Sequence, residues 1–179
     1  RFVARRLAEH HWLRPVPGVF VIASSAPTWK RQCKIGELSV EGGAIGGRSA
    51  LALHRLPDFR LGRIELVVPL NAYCKHDLAI THRYTGAKLT TVEGITVTTV
   101  AQSLFDIARR LGPWRLERSL DEAILSKKAS VAEFEERLTF YEGSRREGLP
   151  MIRPLVLERL DGDGVTLRFG DARRLRRRP

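Results

Sequence analysis

The chain has 179 residues, 43% of them hydrophobic, which makes one ordinary domain or two small ones with enough apolar side chains for a core. Lys and Arg number 31 against 20 Asp and Glu, a net charge of +11; the excess fits a polyanionic partner such as a nucleic acid, and also an arginine-rich codon bias. No apolar run approaches the roughly 20 residues that span a bilayer, and no apolar stretch follows the opening charges as it does in a secretory leader.

Residues 2–9 read as the end of a helix, with Phe2, Val3 and Leu7 apolar and Arg1, Arg5 and Arg6 on other faces. Residues 12–22 read as a β-hairpin, two short strands around the Pro17-Gly18 turn. Positive charge concentrates here: residues 1–31 hold Arg1, Arg5, Arg6, Arg14, Lys30 and Arg31 against Glu9 alone. A helix followed by a two-stranded hairpin is the closing part of a winged helix-turn-helix. In that unit the helix enters the major groove and the hairpin runs along the backbone. Residues 1–24 are therefore predicted to be a truncated winged helix-turn-helix, lacking the earlier helices that brace it.

Ser24 to Pro27 is a helix-start signal. A helix is predicted over about 27–40, with Trp29, Cys33, Leu38 and Val40 inward. Gly42, Gly43, Gly46 and Gly47 punctuate a short Ala44-Ile45 piece, and residues 48–56 form a short helix stopped by Pro57. Strands are predicted at 63–69 and 78–83, and Val92 to Val97 as a tight turn between two more. Thr99 and Gln102 fit a capping box. The helix behind them runs to about Leu111, with Ala101, Leu104, Phe105 and Ala108 inward, and Gly112-Pro113 breaks it.

Three further helices follow. One covers 114–126, one opens at a Ser130–Glu133 capping box and buries Phe134, Leu138 and Tyr141, and one covers 150–160, where Pro154 weakens the first turn. Residues 25–162 are thus a small mixed α/β domain with a helical C-terminal half. Residues 163–179 are Arg-rich without an apolar stripe and read as a disordered tail. The expected fold class is α+β.

The chemistry-bearing residues form no catalytic set. Ser49, His54 and Asp58 can be drawn as a triad, but the G-x-S-x-G elbow is absent, and His54 reads as a surface or capping histidine. The Gly43 to Gly46 stretch lacks the Lys-Ser/Thr of a phosphate loop. A metal nuclease wants an Asp and, on the next strand, an Asp/Glu-x-Lys. Glu65-Leu66-Val67 has no Lys, and Asp77, Asp106 and Asp121 have no such partner. Cys33, Cys74, His76 and His82 follow no zinc spacing, and two cysteines make no disulfide framework, so a reducing cytoplasm is the default compartment. The expectation is a protein without catalysis, metal or cofactor.

Trp12-x-Arg14-x-x-Pro17-Gly18-Val19-Phe20, followed by Pro27-Thr28-Trp29, resembles the winged-helix end of AbiEi-type antitoxins, in the actinobacterial form of these abortive-infection, type IV toxin–antitoxin regulators. The resemblance continues through Arg48-Ser49-Ala50-Leu51-Ala52-Leu53-His54-x-Leu56-Pro57, Glu65-Leu66-Val67-Val68-Pro69 and Val92-Glu93-Gly94-Ile95-Thr96-Val97-Thr98-Thr99. It covers roughly residues 1–160. It implies an autorepressor that binds operator DNA through its winged helix. Its second domain would support that binding and oppose a nucleotidyltransferase-like toxin. Many such proteins carry a further domain resembling very-short-patch-repair endonucleases, which the segment after Gly164 does not resemble. Gly47 stands where a His commonly precedes Arg-Ser-Ala, and Val100 where a Pro often follows Thr-Thr.

The expected partner is double-stranded DNA. Arg1, Arg5 and Arg6 would contact it from the helix, and His10, His11 and Arg14 from the start of the wing. Two other readings compete: the DNA-recognition arm of a very-short-patch-repair-like endonuclease lacking its catalytic domain, and a toxin-neutralising protein-interaction domain that barely touches DNA.

Overall fold

The computed structural model describes residues 2–74 and 77–161; Arg1 and the predicted 163–179 tail lie outside them. The fold is α+β, with seven helices and two sheets among the described residues. Helix α1 (Phe2–Ala8) leads into a two-stranded antiparallel sheet of β1 (Trp12–Val16) and β2 (Val19–Ile22). The turn between them follows from its residues: Pro17 pre-sets its own φ, and Gly18 adopts the φ of +81° that a side chain would resist. The hairpin is not isolated from the rest of the chain. Val16 and Val19 are buried against Ile35 of the next helix.

That helix, α2 (Trp29–Leu38), begins later than its Ser24–Pro27 signal predicts. Thr28 is the cap, its hydroxyl accepting the Arg31 N–H at 3.1 Å. Its inward positions are Trp29, Cys33 and Gly36, with Val40 just beyond its end, a helical i, i+4, i+7 spacing; Gly36 lies against Leu66. Leu38, predicted to face the core, is 59% exposed because it falls on the opposite side of that stripe.

The main sheet has five strands in the order β5-β4-β3-β7-β6. They are β3 (Ala44–Ile45), β4 (Ile64–Pro69), β5 (Ala79–Tyr84), β6 (Leu89–Val92) and β7 (Ile95–Thr98). The middle strand is the two-residue Ala44-Ile45 piece, antiparallel to β4 and parallel to β7. β4 and β5 run parallel, and β6 and β7 form a hairpin whose turn carries Glu93 and Gly94 at φ of +50° and +77°. Ile64, Leu66 and Val68 of β4 share one core with Cys33, Ile45, Ile95 and Val97. The pleat turns Glu65 to the other face.

The second core is helical. Helix α4 (Val100–Leu111) is its axis, buried along much of its length, with α5 (Pro113–Leu125), α6 (Val131–Phe140) and α7 (Leu149–Asp161) around it. Helix α3 (Gly47–Leu53) joins the two cores, Ala50 and Leu53 entering one and Leu51 the other. The Ser130–Glu133 capping box forms in full. The Thr99 box forms only in half: Thr99 caps the Gln102 N–H, but the Gln102 side chain turns into the interior instead of back to Thr99. No helix among the described residues is long and apolar enough to cross a membrane.

Candidate functional site

The expected DNA-contacting residues gather on α1 and the first part of the hairpin. Helix α1 buries no residue, and at seven residues it is too short to hold itself together in water. The Phe2 ring meets Trp12 edge-on at 5.7 Å, and Trp12 in turn lies 6.1 Å from Phe20. Arg5, His10, His11 and Arg14 are exposed and Arg6 is half-buried. Arg6 sits over the Phe2 ring, and Arg14 over Phe20 at 5.9 Å.

Glu9 partly neutralises this patch. It lies 3.7 Å from Arg5 Nε and 3.2 Å from His11 Nδ1, and Arg6 Nη1 is 3.1 Å from the same ring nitrogen. His10 has a backbone job. Its φ is +56°, and the His11 N–H reaches back to the Arg6 carbonyl, closing the helix in a Schellman-type turn where Gly is usual. Arg1 lies outside the described residues.

The drawn triad does not assemble. Ser49 Oγ accepts the Glu65 N–H at 3.0 Å, His54 Nε2 meets the Thr98 carbonyl at 2.9 Å, and Asp58 pairs with Arg118. His54 is the C-cap residue of α3, and burial holds its pKa below the usual value. Cys33 is wholly buried, and burial pushes its thiol up to about 12. Among the described residues no group of three or more His, Cys, Asp or Glu is placed to hold a metal.

A second constellation is not visible in the sequence. β5, the end of α4 and the 143–148 loop enclose an open cleft of about 1090 Å³, lined among others by His82, Arg83, Tyr84, Asp106, Arg110 and Arg146. At its base Glu65, 5% exposed, takes both Nη groups of Arg110, and His82 Nε2 lies 3.4 Å from the same carboxylate, an ion-pair distance more than a hydrogen bond. Burial opposes ionisation of Glu65, but the contacts from His82 and Arg110 outweigh it and hold its pKa below the ordinary value.

Asp106, whose side chain is 2% exposed, pairs with Arg146 and accepts from Gln102 Nε2 at 2.7 Å through Oδ1, with the Tyr84 hydroxyl beside the same carboxyl. Burial pushes its carboxyl up to about 6 against the pull of Arg146. The Arg146 guanidinium stacks on Tyr141 at 4.4 Å and on Tyr84 at 5.2 Å.

These residues come from β4, β5, α4 and a loop, so no local spacing could have announced them. Gly47 belongs to the same construction. Its φ is +52°, and a Cβ there would strike the Glu65 carboxylate. The position where the resembled family commonly has His therefore has no room for a side chain in this protein.

The chain matches no protein-family model and no curated protein.

Proposed function

We propose that this protein is a non-catalytic, cytoplasmic DNA-binding regulator of the AbiEi-type antitoxin kind, with α1 and the β1–β2 hairpin as the recognition helix and wing of a winged helix-turn-helix. The observation that carries the reading is that α1 and the hairpin form a unit with its own sheet. It projects Arg5, Arg6, His10, His11 and Arg14 on accessible side chains, and none of these residues is consumed by the core. The order of the motifs from Trp12 to Thr99 supports the same reading. A nucleotidyltransferase-like toxin is the protein partner this reading entails.

Binding in this chain is mainly electrostatic, because guanidinium–phosphate attraction tolerates misplacement that base reading does not. Replacing Arg5 and Arg6 by Ala weakens binding about equally on unrelated duplexes, and each lost phosphate contact lowers the slope of log K against log salt by about 0.9. The Arg-rich segment from Arg173 to Arg178 is controlled for by ending the chain after Asp161. If the shortened protein loses all affinity while the Arg5/Arg6 double variant of the full chain keeps it, the recognition-helix reading is wrong.

A further inference from the structure

The edge of a sheet presents unpaired N–H and carbonyl groups, and folded proteins guard such edges with charge, proline, a bulge or a covering segment. The edge strands here are guarded in that way, with one exception. β1 carries Arg14 and Pro15 and breaks its register between Leu13 and Val16. At the end of β2 the Ile22 carbonyl accepts from both the N–H and the hydroxyl of Ser25. β5 carries His82 and Arg83. β6 has none of these devices. Its residues Leu89, Thr90, Thr91 and Val92 are uncharged and pair with β7 in unbroken register, and Leu89, Thr90 and Thr91 are exposed.

The hairpin fixes which backbone groups of β6 point outward. The Glu93-Gly94 turn makes Val92 and Ile95 a hydrogen-bonded pair, and such pairs alternate along an antiparallel ladder. Thr90 and Val97 are the next one. Beyond them the Lys88 carbonyl accepts the Thr99 N–H at 2.9 Å, in phase with both. Leu89 and Thr91 fall between these pairs, so their N–H and carbonyl groups face away from β7. No turn, loop or cap hydrogen bond among the described residues uses them.

We propose that β6 pairs antiparallel with β6 of a second copy of this chain, about a two-fold axis at Thr90, joining the two five-stranded sheets into one. Leu89 of each copy exchanges N–H···O bonds with Thr91 of the other, so every outward group of the strand is met by its own symmetry mate. Thr90 lies opposite Thr90 as a close, non-hydrogen-bonded pair, a combination that favours pairing. Lys88 falls opposite Val92, so no charge faces a like charge across the strands. Leu89, 44% exposed, gains cover beside Thr91.

The pairing closes on itself. It uses up the unguarded edge, and the guarded β5 edges offer a third copy nothing, so the product is a dimer and not a fibre. The strand is short and the contact small, so the dimer is weak and forms with rising concentration. The pairing stands on the sheet edge and owes nothing to the DNA-binding reading. Where that reading holds, the dimer presents the α1–hairpin unit twice about a two-fold, as an inverted-repeat site requires.

Sedimentation velocity of the full chain over a concentration series tests this. The parent should pass from monomer toward dimer as concentration rises. Thr91→Pro removes an outward donor from each copy and leaves the β6–β7 ladder intact, because that N–H has no partner in the monomer. It should dimerise about tenfold or more weakly. Thr90→Lys and Thr90→Glu each set like charges against one another on the axis and should stay monomeric, while an equal mixture of the two should dimerise. Far-ultraviolet circular dichroism should match the parent in each variant; if Thr91→Pro fails to fold, the Thr90 variants carry the test.

Arg5→Ala with Arg6→Ala should dimerise like the parent, so failure here is separable from failure of the DNA-binding reading. The proposal is overturned if the parent stays monomeric at the highest concentration, if folded Thr91→Pro dimerises like the parent, or if the Thr90→Lys and Thr90→Glu proteins stay monomeric when mixed.

Discussion

Arg110 Nη1 and Nη2 donate to the two oxygens of Glu65 at 3.2 and 2.8 Å, joining the end of α4 to strand β4 of the main sheet. The pair is asymmetric: Glu65 is 5% exposed and Arg110 39%. Removing the arginine therefore leaves a buried carboxylate with the His82 ring as its nearest remaining polar partner. Arg110→Ala should lower stability by about 1–2 kcal/mol at neutral pH, less than a fully buried pair because water screens the arginine. Glu65 titrates below its ordinary value, so the stability its ionised form contributes is present above that value and lost as pH falls through the folded pKa. Urea denaturation of the two proteins should show their difference shrinking in acid. A difference that stays constant down to pH 3 would mean the pair does not stabilise the fold.

Gly47→Ala sets a steric test of the same site. The left-handed backbone costs an alanine about 1–2 kcal/mol, and displacing the Glu65 carboxylate adds a comparable overpacking term. Gly94→Ala, at φ of +77° with open space around it, bears the first cost without the second. Equal losses of melting temperature in the two variants would contradict the crowding at Gly47.

Asp106 behaves in the opposite sense to Glu65. Its folded pKa of about 6 lies above the ordinary 3.8, so its contribution is fully present below the lower value and lost as pH rises through the upper one. Asp106→Asn carries no such titration. The stability of the parent relative to this variant should fall by about 2 kcal/mol between pH 4 and 7. A flat difference across that range would rule out the raised pKa.

His10→Gly separates the backbone role of His10 from its expected role at DNA. Gly adopts the left-handed turn without strain, so the variant should be more stable by about 0.5–1 kcal/mol. If it also binds duplex DNA less tightly, the imidazole contributes to binding; destabilisation would show that the ring holds α1 in place.

Purified protein with Mg²⁺ or Mn²⁺ should leave plasmid DNA uncut. Both oxygens of Glu65 already accept from Arg110, and no Lys follows two residues later to complete the nuclease pattern. Metal-dependent cutting that disappears in Glu65→Ala would assign this carboxylate a catalytic role.

The sequence alone determined most of the elements, because their signals are local. Pro17-Gly18 and Glu93-Gly94 specify tight turns, Ser130 and Glu133 cap each other within one turn of helix, and Gly112-Pro113 ends α4 and opens α5. It also exposed the basic residues of α1 and the hairpin as a group, since they are neighbours in the chain. Tertiary structure decided what long-range pairing decides. Ala44-Ile45 is too short to show alternation, yet it is the central strand because β4 and β7 both pair with it. Gln102 leaves its capping box because Tyr141 and Arg137, distant in sequence, join Asp106, one helical turn on, in offering its amide better-enclosed partners. The Glu65–Arg110 and Asp106–Arg146 pairs, 45 and 40 residues apart, exist only once β4, α4 and the 143–148 loop are packed together, since each buried carboxylate needs a cation that no nearby residue supplies.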